Sequence, residues 1–599
     1  MKTIRLKTLA VFTLVALAWQ AKAVTLTVSP SVISNTYTGV ITLNITGLTN
    51  TEKVVVQKWL DGNANGLVDA GELLMDQGGI TDGGAMVISG ITNINVPFDS
   101  NPTGGVITTT LNCPPGIPLE NMVGHYVFVV ASPTGRFSPV TATFAITNAA
   151  LNQSIGGVVY SNGVPSPYAV VVAQDMQANN PAGAVVADGS GHYFLALVPG
   201  NYGLIGAVPN CYLDQDTAPV VALTNGVSST NDLFLTNGTV TISGSIYDAG
   251  NSNGVGGVLL QFESGSLFEV AFTDTNGNYS AAVSPAFWKI KPSKERLSRH
   301  AFVTPETTFQ VDTTVGNVTN ANLALPKGNA LFYGRVTDNL NNPFANVEID
   351  ASGNNNNFGG GSLYGSKGYT DANGNYAVAV LGDLTNYWNC NVNEGKGSAI
   401  ASYVLNTFNS ITNAMNQVNL ENFIALPATS TISGHVQDNS GTNVSGVSLD
   451  ANAVIGGNVY QTLDGTTDNS GNYSLAVAAG QWNVQFLTGG NDSDNLDQRG
   501  YEDLTAPHIV PVPPTNAVLN ITVYPFGTPV ITALQRISST QFGFNVSGAT
   551  NVNYTVQVST NLASANWSTL LSFQLTTNPF PVVDVNATNT VRFYRVQKN

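Results

Sequence analysis

Between positions 61 and 72 the chain runs Asp61-Gly62-Asn63-Ala64-Asn65-Gly66-Leu67-Val68-Asp69-Ala70-Gly71-Glu72, with side-chain oxygens at the first, third, fifth, ninth and twelfth places. Calcium is a hard cation that takes roughly six to eight oxygen ligands, and a short loop supplies them only if it doubles back sharply. Gly66 at the sixth place permits that turn, and the Leu67 carbonyl at the seventh adds a backbone oxygen. The candidate Ca2+ ligands are therefore Asp61, Asn63, Asn65, Asp69 and Glu72 through their side chains and Leu67 through its carbonyl. The alternative is an ordinary Asn/Gly/Asp turn holding no ion.

Other chemistry is thin. Gly250-Asn251-Ser252-Asn253-Gly254 spells a hydrolase nucleophile elbow, but that elbow needs a strand running into a helix, and here a Val-rich strand pattern follows. The histidines His125, His192, His300, His435 and His508 are scattered and form no H-E-x-x-H zinc motif. Cys113, Cys211 and Cys390 lie too far apart for a disulfide framework or a metal cluster and read as buried single thiols. One charged island, Lys289, Lys291, Lys294, Glu295, Arg296, Arg299 and His300, stands in a chain of only 10% charged residues; it reads as a solvated loop, with contact to acidic partners or to a neighbouring module as the alternative. No catalytic residue is assigned, and the chain is expected not to be an enzyme.

The elements around these residues repeat. Asp188-Gly-Ser-Gly191-His-Tyr193 returns as Asp274-Thr-Asn-Gly277-Asn-Tyr279, Asp371-Ala-Asn-Gly374-Asn-Tyr376 and Asp468-Asn-Ser-Gly471-Asn-Tyr473. A period near ninety residues is one small domain, longer than the unit of a solenoid. Each copy is preceded by a strand pattern carrying Gly157, Gly244, Gly334 or Gly434, and followed by alternating residues leading to Tyr202, Trp288, Trp388 or Trp482. Asp accepting nearby backbone N–H groups, Gly in the left-handed conformation and Tyr opening the return strand make a hairpin that needs no ligand.

With these residues in view, the G-x-V opening, the D-x-x-G-x-Y hairpin and the following aromatic strand resemble the carboxypeptidase regulatory-like domain, a prealbumin-like β-sandwich related to Cna protein B-type repeats. The resemblance covers about residues 150 to 526 and implies non-catalytic modules of secreted and surface proteins, in a fold group also called carbohydrate-binding-like. The third copy departs from the pattern by an Asn/Gly-rich insertion, Gly353 to Gly361, and a polar stretch, Gly395 to Asn419. The calcium-type loop resembles those of EF-hands and dockerins, although the preceding Val54-Val-Val-Gln-Lys-Trp-Leu60 reads as a strand.

Period-two segments on both flanks complete the array. Residues 24–149 read as an immunoglobulin-like sandwich and 527–599 as a fibronectin type III-like one. Between them lie repeat 1 (150–237), repeat 2 (238–327), repeat 3 (328–428) and repeat 4 (429–526). Lys2, Arg5 and Lys7 before an apolar run and Ala21-Lys22-Ala23 after it form a signal peptide, 1–23. Removing it leaves 17 basic residues against 37 acidic, a balance that repels nucleic acid. No second apolar run is long enough to span a membrane. The sequence thus predicts an all-β tandem array of about six small antiparallel β-sandwich modules strung as an extended rod. It would be extracellular or on the cell surface and would serve a structural or adhesive role, with a glycan or a surface protein as partner. Carbohydrate binding through exposed aromatic platforms is the alternative.

Overall fold

The computed structural model describes residues 23–598 apart from 114–120, 178–179, 307–308, 356–362, 383–385, 394–398, 489–492, 514, 551, 563–565 and 589–590. The signal peptide and most of the Gly353–Gly361 insertion lie outside the described residues. What is described is nearly all β and antiparallel in the main, with one short α-helix, Lys294–Arg299, and a single 3-10 turn, Gln215–Thr217.

The N-terminal module pairs a three-stranded sheet (Thr25–Ser29, Val40–Thr46, Val106–Asn112) with a five-stranded one that includes Lys53–Leu60, Leu74–Thr81, Gly124–Ala131 and Val140–Thr147. Alternation decides which face is inside: Ile41, Leu43 and Ile45 point into the core, where they meet Tyr126, Phe128 and Phe144. The C-terminal module is two three-stranded sheets around Phe544, Tyr554 and Val556.

The four repeats share one internal device, and it explains both of their signature residues. Each opening strand (Ser154–Ser161, Val240–Asp248, Ala330–Asp338, Ser430–Asp438) pairs antiparallel with the return strand carrying the motif Tyr and parallel with the closing strand of its module. Where the partner changes, the carbonyl of Asn231, Ala321, Glu421 or Leu519 crosses directly over Gly157, Gly244, Gly334 or Gly434, leaving no room for a Cβ. The same carbonyl accepts the hydroxyl of Tyr193 (2.5 Å), Tyr279 (2.6 Å), Tyr376 (2.7 Å) or Tyr473 (2.8 Å). Glycine and tyrosine, some forty residues apart in sequence, thus serve one crossing point.

The hairpin aspartates behave as a turn requires. In all four copies Oδ1 accepts the N–H groups two and four residues on, as Asp371 does from Asn373 and Asn375 at 2.8 Å, and the turn glycines take positive φ of 77 to 81°. The aromatics of the following strand are buried. Trp288, Trp388 and Trp482 are fully buried, and each indole N–H donates to a carbonyl, those of Ser284, Leu381 and Ala478 respectively. Tyr202 does the same through its hydroxyl.

Successive modules are joined by shared sheets as well as by covalent linkage. Cys211–Asp214 of repeat 1 pairs with Leu267–Phe272 of repeat 2, and Tyr403–Asn406 of repeat 3, inside the polar stretch, pairs with Asn458–Gln461 of repeat 4. Thr304–Pro305 of repeat 2 pairs with Tyr364–Tyr369 of repeat 3, and Val123 of the N-terminal module bridges to Val185 of repeat 1. From the N-terminal module through repeat 3, each module therefore lends a short strand or bridge to the next, giving continuous ten-stranded sheets across repeats 1–2 and 3–4.

The extended rod is not what the structure has. The N-terminal module shares its core with Val170 and Ala184 of repeat 1, and Phe272 of repeat 2 packs against it. Its segment Met86–Val96 forms a second apolar cluster with Ala301, Leu331, Ala377 and Ala379. Repeats 1 to 3 accordingly fold back around the first module, and Thr38 and Asn346, 308 positions apart, are joined by a 2.6 Å hydrogen bond. Alternation within a strand says which face is buried and nothing about which neighbour buries it.

Candidate functional site

The calcium-type loop connects two adjacent strands of the N-terminal module, Lys53–Leu60 and Leu74–Thr81, so no helix flanks it. Gly66 has φ +77° and Ala64 φ +57°, which folds the loop onto itself. Asp61 accepts the N–H groups of Asn65 (3.1 Å) and Gly66 (2.8 Å), and Asn63 and Asn65 accept those of Asn65 and Leu67. Both Asn amides donate to Asp69 Oδ2, at 2.8 and 2.7 Å, while Glu72 closes the ring by accepting from the backbone of Gly62 and Asp69.

These bonds link the five side chains to one another and to the backbone of a single closed loop. Burial raises the Glu72 carboxyl above the usual range, and the nearby Asp61 and Asp69 charges add to it. The amide oxygens of Asn63 and Asn65 keep a lone pair beyond their backbone bond. The Leu67 side chain points to solvent, as expected of a residue offering only its carbonyl. Among the described residues no group of three His, Cys, Asp or Glu is gathered closely enough to hold a metal ion. The loop lies at a module seam: a side chain at Gly62 would run into the ring of Tyr168 of repeat 1.

The charged island is not a solvated loop; the alternative, contact with neighbouring modules, is what the structure has. Lys289 and Lys291 face solvent, but Arg296 and Arg299 are 3% and 7% exposed, on the short helix wedged between the N-terminal module, repeat 2 and repeat 3. Lys294 Nζ meets Glu306 at 2.6 Å and Asp350 at 3.5 Å; Lys367 Nζ meets Glu295 at 3.0 Å and Glu348 at 2.8 Å. Arg299 donates to the Asn112 carbonyl, and His300 Nε2 lies 2.7 Å from Asp76 Oδ1. Burial alone would raise the Asp76 carboxyl, yet the charges of His300, Arg296 and Arg299 hold it well below the usual range. Burial likewise opposes the Lys367 charge, which Glu295 and Glu348 restore and strengthen. Asp76, Glu348, Asp350 and Lys367 carry no motif and were not singled out by sequence. The usable signal was the island itself, because so many charges in a sparsely charged chain need countercharges somewhere.

Ser252 of the elbow-like motif sits at φ +61° in a turn, its N–H donating to the Asp248 carbonyl, with no helix behind it. His192 is exposed, and His435 lies beside Asn443 at 3.0 Å. The three cysteines are buried and unpaired with one another. Between repeats 1 and 2, Glu269 is 2% exposed; burial pushes its carboxyl up to about 10, with the N–H groups of Asn210 and Cys211 beside it offsetting only part of the cost.

No family model matches the chain, and no curated protein does. Solved structures similar to it include the Bacillus anthracis TIE protein, at 12% identity over 67% of this chain and 75% of that one with a TM-score of 0.15. A streptococcal ancillary pilin aligns at 12% identity over 48% and 98% with a TM-score of 0.16. The major pilin subunit of Bacillus cereus aligns at 10% over 48% and 99% with a TM-score of 0.14. At such scores these likenesses assign no function.

Proposed function

We propose that this is an exported, non-catalytic scaffold of the cell exterior, in which a folded-back set of carboxypeptidase regulatory-like modules presents repeat 4 and the C-terminal module away from a rigid base. The observation that carries the reading is the stitching: strands lent from module to module and a charged, buried junction at the N-terminal module spend side chains and backbone on rigidity. The leading cations and apolar run support export. Antibody against the mature chain should label intact cells or the medium; a chain found only in the cytoplasm would end this reading.

Calcium belongs to the same proposal. Held by Asp61, Asn63, Asn65, Asp69, Glu72 and the Leu67 carbonyl, it would fix the hairpin that abuts repeat 1, with an affinity on the order of 10⁻⁴ to 10⁻³ M, as in other extracellular modules. The tryptophan platform needed for the carbohydrate alternative finds no support, since Trp288, Trp388 and Trp482 are all core residues.

A further inference from the structure

The core of the C-terminal module draws only on residues between Ile531 and Val596, so the packing of repeats 1 to 3 leaves this module's own surfaces uncovered. Its two three-stranded sheets end, among the described residues, in four edge strands. An edge strand turns half of its backbone N–H and C=O groups away from its single neighbour, and natural sheets blunt such edges with proline or charge. Three of the four are blunted in this way. Phe580–Asp584 carries Pro581 and Asp584, Val530–Arg536 carries Arg536, and Phe593–Lys598 carries Arg595 and Lys598.

The fourth, Ser568–Gln574, has neither proline nor charge. On one side it pairs with Asn553–Ser559, in regular register from Leu571 to Gln574, with a bulge at Leu570 ending the regular run. Among the described residues no backbone bond reaches Leu571, Ser572 or Phe573 from the other side. The free edge has an apolar rim: Leu571 is 37% exposed, and Phe573, half-buried, stacks on Phe580 with ring centroids 4.1 Å apart. Alternation puts Leu571 and Phe573 on one face of the sheet and exposed Ser572 on the other.

This edge is complementary to itself. Two copies laid antiparallel about a two-fold axis through Ser572 set Leu571 of each copy opposite Phe573 of the other, and serine opposite serine, with no charge left facing a charge. The chain already uses such pairing within itself, where repeat 1 lends a strand to repeat 2 and repeat 3 to repeat 4. We propose that Leu571–Gln574 is a pairing edge for a second copy of this chain, joining two C-terminal modules through one continuous sheet. The contact is isologous and closes at two copies. It is short against the roughly 20–30 residues a side of a standard interface, so the dimer is weak, with a dissociation constant on the order of 10⁻⁴ M.

Sedimentation velocity of the full mature chain from about 5 to 500 μM should show monomer passing into dimer. Ser572→Lys sets like charges opposite each other at an exposed position and should raise the dissociation constant about tenfold, with an unchanged melting midpoint. Ser572→Cys should give a disulfide-linked dimer on air oxidation, because directly paired Cα atoms lie roughly 4.5–5.5 Å apart, within disulfide reach. Leu534→Cys, 63% exposed on another edge strand, should not. A chain monomeric throughout, a dimer that Ser572→Lys leaves unchanged, or equal cross-linking of the two cysteine variants would each overturn the proposal. So would an edge that takes up an unrelated extended peptide in place of the second copy.

Discussion

At the scale of single residues, the crossing point of each repeat makes the sharpest predictions. Tyr473→Phe removes one hydroxyl bond to the Leu519 carbonyl and should lower stability by about 1 kcal/mol in urea unfolding. Gly434→Ala places a methyl group into that same carbonyl and should cost about 3 kcal/mol, the upper end of overpacking; equal effects of the two changes would contradict a shared crossing point. Glu269 gives a pH signature. Its folded pKa lies near 10 against an ordinary 4.5, so the protonated form is the one the fold accommodates. The associated stability is complete below about pH 4.5 and is lost progressively as pH rises toward 10. Glu269→Gln should therefore match the parent near pH 4.5 and be more stable by roughly 2–3 kcal/mol at pH 7, read from melting midpoints across pH. The D-x-x-G-x-Y turns and the buried aromatics were legible because their causes are local: a side chain bonding a backbone two to four residues away, and period-two burial. Glu269 was not legible, because nothing in its own strand says that another module will cover it.

Elements carry the next set of outcomes. Tyr403–Asn406 lies in a polar stretch without a period-two signal, and it becomes a strand because closing strand and neighbouring repeat flank it on both sides. Asn406 holds it there, donating to the Asn422 carbonyl (3.1 Å) and accepting from Ile424 N–H (2.7 Å). Asn406→Ala should destabilise by about 2 kcal/mol and make the junction of repeats 3 and 4 the first site of protease cleavage. The calcium loop was fully legible as a candidate, since its ligands are contiguous. Adding roughly 10 mM calcium should stabilise the N-terminal module by about 1–3 kcal/mol in calorimetry, and Glu72→Gln should abolish most of that shift. Because burial and its acidic neighbours raise the Glu72 carboxyl, the effect should weaken as pH falls from neutral into the acid range. A melting curve unmoved by calcium at neutral pH would reduce the loop to a turn.

For the whole molecule, the sequence separates the modules and stays silent on their arrangement. A rod follows from short linkers alone; the folded-back array follows from contacts between residues hundreds of positions apart, such as Asp76 with His300 and Asn95 with Lys367. The charged island marks that junction, and read without its partners it looks like any solvated loop. The claim that the N-terminal module is the hub on which repeats 1 to 3 are packed is tested most directly by a distance. Spin labels placed at Thr38 and Asn346 of the full mature chain report it by double electron–electron resonance. The structure predicts a narrow distribution within roughly 20 Å, whereas a rod with two modules of about 13 Å radius of gyration between the labels would separate them by on the order of 70 Å. The short distance establishes the hub; the long one would return the protein to a string of independent modules.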